Sequence, residues 1–237
     1  MGRYDRQLLE LTEEEQSRIS GSSAGIAGCG GLGTTVATAL ASAGVSAFVL
    51  MDPDIPDETN LNRQFAYCEE VLSGNPRPKA VILADWIKKI NPSAEVRCYA
   101  EKFSAETSHL FGGCTVMIDC LDSIRDRLEL NRYCVSAMKP LVHGSINGFD
   151  GEVMTVIPGT TPCLSCVLEN VPDSGSAPAS LGPVVMAVAS MEAAEALKII
   201  TGRGKASGFV SYDFLNCRCV PVNFERRSDC PVCGRLK

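Results

Sequence analysis

Ala24-Gly25-Ile26-Ala27-Gly28-Cys29-Gly30-Gly31-Leu32-Gly33, followed by the small-residue run Thr34 to Ala43, decides the fold. A short apolar stretch (Ala24 to Ala27) predicts a strand. The glycines at 28, 30, 31 and 33 form a tight turn, and Leu32 to Ala43 predicts a helix. Gly28, Gly30 and Gly33 fit the spacing G-x-G-x-x-G between strand and helix, which brings backbone N–H groups and a helix N-terminus close to phosphate. Ala47 to Met51 predicts the next strand. It ends at Asp52, nineteen residues past Gly33, where a carboxylate can accept hydrogen bonds from ribose hydroxyls. Taken alone, this unit fits a nicotinamide-dependent dehydrogenase.

Outward from it, apolar runs and helical periods alternate. Helices are expected over Lys79 to Ile90, closed by Asn91-Pro92, and over residues 124–137, with strands over Glu95 to Tyr99, Thr115 to Asp119, Leu141 to Gly144 and Glu152 to Ile157. Such alternation predicts an α/β fold, a doubly wound and mostly parallel Rossmann-like sheet with ligands outside the strands' carboxyl ends. Upstream, Thr12 and Glu15 form a capping-box pattern that opens a helix to residue 20, after an arm carrying Arg3, Tyr4, Arg6 and Gln7. Downstream, Pro172 to Pro183 reads as a loop before a long helix from Val184 to Ile200.

Asp54, Asn60, Arg63, Gln64 and Lys79 turn the reading away from hydride transfer, which has no need of an Arg and a Lys converging on phosphate. Attack on an α-phosphate does need them. Asp122, in Asp119-Cys120-Leu121-Asp122 past a strand end, can hold Mg²⁺ on a triphosphate or cap the next helix.

Four of the twelve cysteines form two C-x-x-C pairs, Cys163/Cys166 and Cys230/Cys233, the pattern of a closed tetrahedral zinc site rather than of disulfides in a secreted chain. A redox-active C-x-x-C is the rival reading. A closed site is structural: it ties the C-terminal tail to the segment after residue 162. The other eight cysteines, the two histidines and Trp86 read mostly as packing residues. A formal net charge of −6 argues against nucleic acid and anionic membranes, and neither a signal peptide nor a membrane-spanning run is found, so a cytoplasmic setting is expected.

Read in order, Arg3-Tyr4-Asp5-Arg6-Gln7, the glycine loop, Asp52-Pro53-Asp54, Asn60 to Gln64, Pro78-Lys79, Asn91-Pro92, Asp119 to Asp122 and both cysteine pairs resemble the ThiF/MoeB/HesA family, relatives of the ubiquitin-activating enzymes. The resemblance runs from about residue 3 to the end and implies one adenylation domain over 1–237. Within it, 1–23 is an N-terminal arm and helix, 24–158 the nucleotide-binding core, and 159–237 a zinc-stapled C-terminal part. It further implies ATP and Mg²⁺ as cofactors, structural Zn²⁺, and a homodimer in which Arg6 enters the partner's site. By the same resemblance Asp52 binds ribose, Arg63 and Lys79 hold the phosphates, Asp122 binds Mg²⁺, and Gly30 and Gly31 lie against the nucleotide. The implied reaction adenylates the C-terminal carboxylate of a small β-grasp sulfur carrier ending in Gly-Gly, for thiamin or molybdopterin biosynthesis, or else a peptide or small-molecule carboxylate. One departure stands out: sulfur-carrier and ubiquitin-like activating relatives usually place a cysteine in the loop before the last long helix. The matching position here is near Gly175, and residues 172–183 contain none.

Overall fold

The structure is a computed structural model that describes residues 2–168, 171–172 and 178–236. The arm leads into α1 (Glu13–Ser20), whose capping box is complete: the Thr12 hydroxyl accepts from Glu15 N–H and the Glu15 carboxylate accepts from Thr12 N–H. The nucleotide-type unit follows as β1 (Ser23–Ala27), α2 (Gly31–Ala43) and β2 (Ala47–Met51). Next come α3 (Cys68–Leu72), α4 (Lys79–Ile90), β3 (Glu95–Tyr99), β4 (Val116–Asp119) and α5 (Ile124–Ser136). The chain continues through β5 (Leu141–Asn147), β6 (Asp150–Val156), α6 (Leu164–Leu168), α7 (Gly182–Thr201), β7 (Phe209–Asp213) and β8 (Arg218–Val222). The long helix starts two residues before the sequence suggested, because Pro183 fits a helix's first turn, where no N–H is needed. Residues 173–177 of the loop expected at 172–183, Gly175 included, lie outside the described residues.

One eight-stranded sheet has the order β3-β2-β1-β4-β5-β6-β7-β8. Pairings from β3 to β5 are parallel, and those from β5 to β8 antiparallel. The sheet thus crosses the expected boundary at residue 158: β7 and β8 extend it after α7. These two strands escape a pattern reading. β8 is an edge strand, mostly exposed and carrying Pro221, so it shows no apolar alternation.

Both faces of the parallel half are covered. Along β2, Phe48 and Leu50 enter the core shared with α2, α4 and α7, while Val49 and Met51 enter a second core shared with α5 and the cysteine pairs. The chain winds outward from β1 to β3 in one direction and from β4 to β5 in the other. The switch point between β1 and β4 therefore opens at the sheet's carboxyl edge, where such folds bind ligands. Among the described residues, no helix is long and apolar enough to cross a membrane.

Candidate active site

A cleft of about 450 Å³ opens at this switch point. Its two lips touch. Gly28, at φ +90°, passes so close to the loop after β4 that an added Cβ would lie 2.4 Å from the Cys120 carbonyl oxygen. The turn after β1 is pinned by its neighbours: Gly28 N–H donates to the Met51 carbonyl (2.9 Å), Cys29 N–H donates to Asp52 Oδ2 (2.6 Å), and the Tyr67 hydroxyl donates to the Cys29 carbonyl. Burial pushes the Cys29 thiol well up, so this cysteine is no nucleophile.

Ten of the twelve residues assigned from sequence to nucleotide and magnesium chemistry line this one cleft: Gly28, Gly30, Gly31, Asp52, Asp54, Asn60, Arg63, Gln64, Lys79 and Asp122. Gly33 does not. An added Cβ there would stand 2.1 Å from the Gly28 carbonyl oxygen, so Gly33 lets α2 close onto the turn and touches no ligand space. Arg6 is the other exception. Its arm is fixed at the far end of α2, where Gln7 Nε2 donates to the Ala43 carbonyl (3.1 Å) and the Tyr4 ring fills the space above Gly44. Thirteen helical residues, roughly 20 Å at 1.5 Å each, separate that end from the glycine turn. Arg6 therefore cannot serve the cleft of its own chain.

Asp52 accepts from Cys29 N–H and, at 2.8 Å, from Asp54 N–H. Burial raises its carboxyl above the ordinary range despite these donors. Lys79 is buried and extends Nζ to Asp54 Oδ2 at 2.9 Å. Arg63 donates to the Thr59 carbonyl (3.1 Å) and Asn62 Oδ1 (2.8 Å). Asp122 is exposed in the cleft, and the capping alternative for it falls: Ser123 is the N-cap of α5, accepting from Asp126 N–H at 3.1 Å. Asp122 thus offers its carboxylate to a cation, with Lys79 and Arg63 in the same cleft for phosphate oxygens. That donor set fits a magnesium–triphosphate.

The sequence reading missed Lys102, Phe103 and Arg127, which also line the cleft. Lys102 pairs with Asp126 at 2.9 Å. Arg127 is buried beneath Leu121 and Asp122 beside His143, Asp119 and Glu192. Among the described residues, the buried side-chain polar atoms without a partner are Gln64 Oε1, Arg127 Nε and Glu192 Oε2. The first two belong to the cleft lining, and Glu192 lies behind Cys120, which lines it too.

On the other face of the sheet, the sulfur atoms of Cys163, Cys166, Cys230 and Cys233 all lie within 4.8 Å of one another, Cys163 to Cys230 at 3.7 Å and Cys166 to Cys233 at 3.4 Å. A tetrahedron of sulfurs about 2.3 Å from zinc has edges of roughly 3.8 Å, so the donor set fits zinc. The cluster joins the start of α6 to the C-terminal tail and has no part in the cleft.

Comparison with known proteins agrees with this geometry. Residues 4–232 match the model of the ThiF family. The SAMP-activating enzyme E1 of Haloferax volcanii is 31% identical over 244 residues, covering 99% of this chain and 89% of that protein. The sulfur carrier protein ThiS adenylyltransferase of Escherichia coli is 31% identical over 240 residues, covering 98% and 94%. Among solved structures, E. coli MccB with ATP superposes with a TM-score of 0.86 at 24% identity, over 99% of this chain and 75% of that one, and so shares the fold. On the strength of that match and those relatives, the chain belongs to the ThiF family and is an adenylyltransferase.

Proposed function

We propose that this enzyme adenylates the C-terminal carboxylate of a small β-grasp sulfur-carrier protein ending in Gly-Gly, working as a homodimer in the cytoplasm. The observation that carries the chemistry is the convergence of Arg63, Lys79 and Asp122 on a glycine turn at the sheet's switch point. The reaction needs no protein nucleophile at this step. A carboxylate oxygen attacks the α-phosphorus of ATP, the bond to the bridging oxygen breaks, and pyrophosphate leaves with the electron pair. Asp52 would orient the ribose, and the backbone at Gly30 and Gly31 would lie along the phosphates. Lys79 and Arg63 would neutralise charge that grows on phosphate oxygens in the transition state. Mg²⁺ held by Asp122 would supply further charge neutralisation when bound. The carrier as substrate is supported by relatives named sulfur carrier protein adenylyltransferases that align over 98–99% of this chain.

A second reading, a peptide or small-molecule carboxylate, is favoured by one observation: no cysteine stands between Cys166 and Cys217 to take the acyl group covalently. The fold shared with MccB, whose structures include one with MccA, is compatible with it. ATP–pyrophosphate exchange with Mg²⁺, run with and without carriers ending in Gly-Gly, separates the two. Exchange that depends on a carrier is expected; tight ATP binding with no exchange on any carrier would overturn the carrier reading.

A further inference from the structure

Beneath the cleft, the backbone of one residue, Leu121, is gripped on both sides by buried charged side chains. Leu121 N–H donates to Asp119 Oδ1 at 3.1 Å, and the Leu121 carbonyl accepts from Arg127 Nη2 at 2.6 Å. The two gripping groups are joined behind it by His143: its Nδ1 lies 2.8 Å from Asp119 Oδ2, and its Nε2 lies 3.4 Å from Arg127 Nη1. Asp119 and His143 are fully buried, and Arg127 is 7% exposed. The result is a closed ring, Asp119–Leu121–Arg127–His143, drawn from β4, α5 and β5. The residue that follows Leu121 is Asp122.

We propose that Arg127 is a positioning residue for adenylation: through the Leu121 carbonyl it fixes the backbone that presents Asp122 to the magnesium–nucleotide. This rests on the reading of Asp122 as the magnesium ligand.

Helix nucleation does not account for the ring, because Ser123 already caps α5. Packing does not account for it either. An apolar side chain of similar volume would fill the site without the desolvation penalty that a buried arginine carries before its partners offset it. A charged donor on a carbonyl is about twice as strong as a neutral one and directional, which suits a loop that must not shift when a divalent cation arrives.

The surroundings balance the charge from every side. Hydrogen bonding to Asp119 and Glu152 holds the His143 imidazole above its ordinary range despite its burial. Glu152 of β6 stands 3.4 Å from His143 Nε2. Glu192 of α7 packs over Gly144, where an added Cβ would meet its carboxyl carbon at 2.3 Å, and burial holds that carboxyl well above its ordinary range. Among the described residues Arg127 Nε has no hydrogen-bond partner, and the side chain lines the cleft, so the residue faces both the loop and the ligand space.

The test compares Arg127→Ala and Asp122→Asn with the wild type. Two readouts are taken: ATP affinity by titration calorimetry across a Mg²⁺ series, and pyrophosphate exchange across the same series. For Arg127→Ala the half-saturating Mg²⁺ concentration should rise about tenfold and exchange fall about a hundredfold, with metal-free ATP affinity within about twofold. Added guanidinium should restore part of the Mg²⁺ response. A folded Arg127→Ala enzyme with wild-type Mg²⁺ dependence overturns the proposal when Asp122→Asn has lost that dependence. If Asp122→Asn keeps it too, the magnesium reading itself falls. Arg127→Met fills the same volume and, if the alanine variant does not fold, carries the same expectation and the same refutation.

Discussion

Lys79 Nζ and Asp54 Oδ2 stand 2.9 Å apart at the wall of the cleft, with the lysine side chain 8% and the aspartate side chain 62% exposed. The pair is asymmetric: water screens the carboxylate, so the bond itself contributes at most about 1 kcal/mol, yet it holds a buried ammonium beside the ligand space. Phosphate oxygens entering the cleft would share that ammonium with Asp54. Lys79→Met keeps the stem's volume and removes the charge. Pyrophosphate exchange should fall about a hundredfold while the melting temperature stays within a few degrees. Exchange at the wild-type rate would remove Lys79 from the reaction.

Gly30 and Gly33 look alike in the sequence motif and have opposite duties. An added Cβ at Gly30 would meet only Gln64 Nε2, at 3.7 Å, whereas one at Gly33 would overlap the Gly28 carbonyl oxygen. Gly30→Ala should fold with near wild-type stability and bind ATP at least about tenfold more weakly, because the methyl group occupies space that phosphate needs. Gly33→Ala should lose about 3 kcal/mol of stability or more, through forced movement of α2 away from the turn. Thermal melts and calorimetry on both variants decide it. Equal effects on binding and stability in the two would contradict this division.

The contrast also shows what the sequence made legible. Residues within a few positions of the glycine turn, and those at recognisable strand ends such as Asp52 and Asp122, could be placed because a strand's carboxyl end is a local feature. Arg127 could not. An arginine inside Ile124-Arg125-Asp126-Arg127 reads as a solvated helix face, and its burial depends on β5 and α7 closing over it from residues 143 and 192. Lys102 and Phe103 follow an edge strand with no motif of their own. Gly33 was placed in the right turn with the wrong duty, since spacing locates a glycine but does not say which atoms crowd it. The cluster of four cysteines was legible because its chemistry lies in residue type and spacing alone.

Glu192 gives the fold a pH dependence with a definite sign. Burial, reinforced by the Asp119 charge, raises its carboxyl well above the ordinary 4.5, with Arg127 opposing. From about pH 4.5 up to its raised value, the folded chain therefore holds a proton that the unfolded chain has lost. Stability falls as pH rises through that window, by at most about 1.4 kcal/mol per pH unit for one proton. Glu192→Gln keeps the shape and cannot ionise, so its stability relative to the wild type should grow from pH 5 to pH 7. Denaturant melts at several pH values measure this. A difference that does not change with pH would mean that Glu192 is ionised in the fold, with Arg127 as its counter-charge.

Arg6 supplies the sharpest test of the dimer. Its arm is anchored to Ala43 and Gly44 at the end of α2 remote from the cleft, so an arginine acting on phosphate must act on another chain's phosphate. In such a dimer, Arg6→Ala and Arg63→Ala each abolish both sites when present in both chains. Mixed after mild dissociation, they form heterodimers in which the Arg6→Ala chain keeps Arg63 and receives an intact Arg6 from its partner. One of the two sites is then whole. Random pairing makes half the dimers mixed, and exchange should recover to about a quarter of the wild-type rate. No recovery, with heterodimers demonstrated by mass, would confine Arg6 to anchoring the arm and leave the cleft to act with residues of one chain.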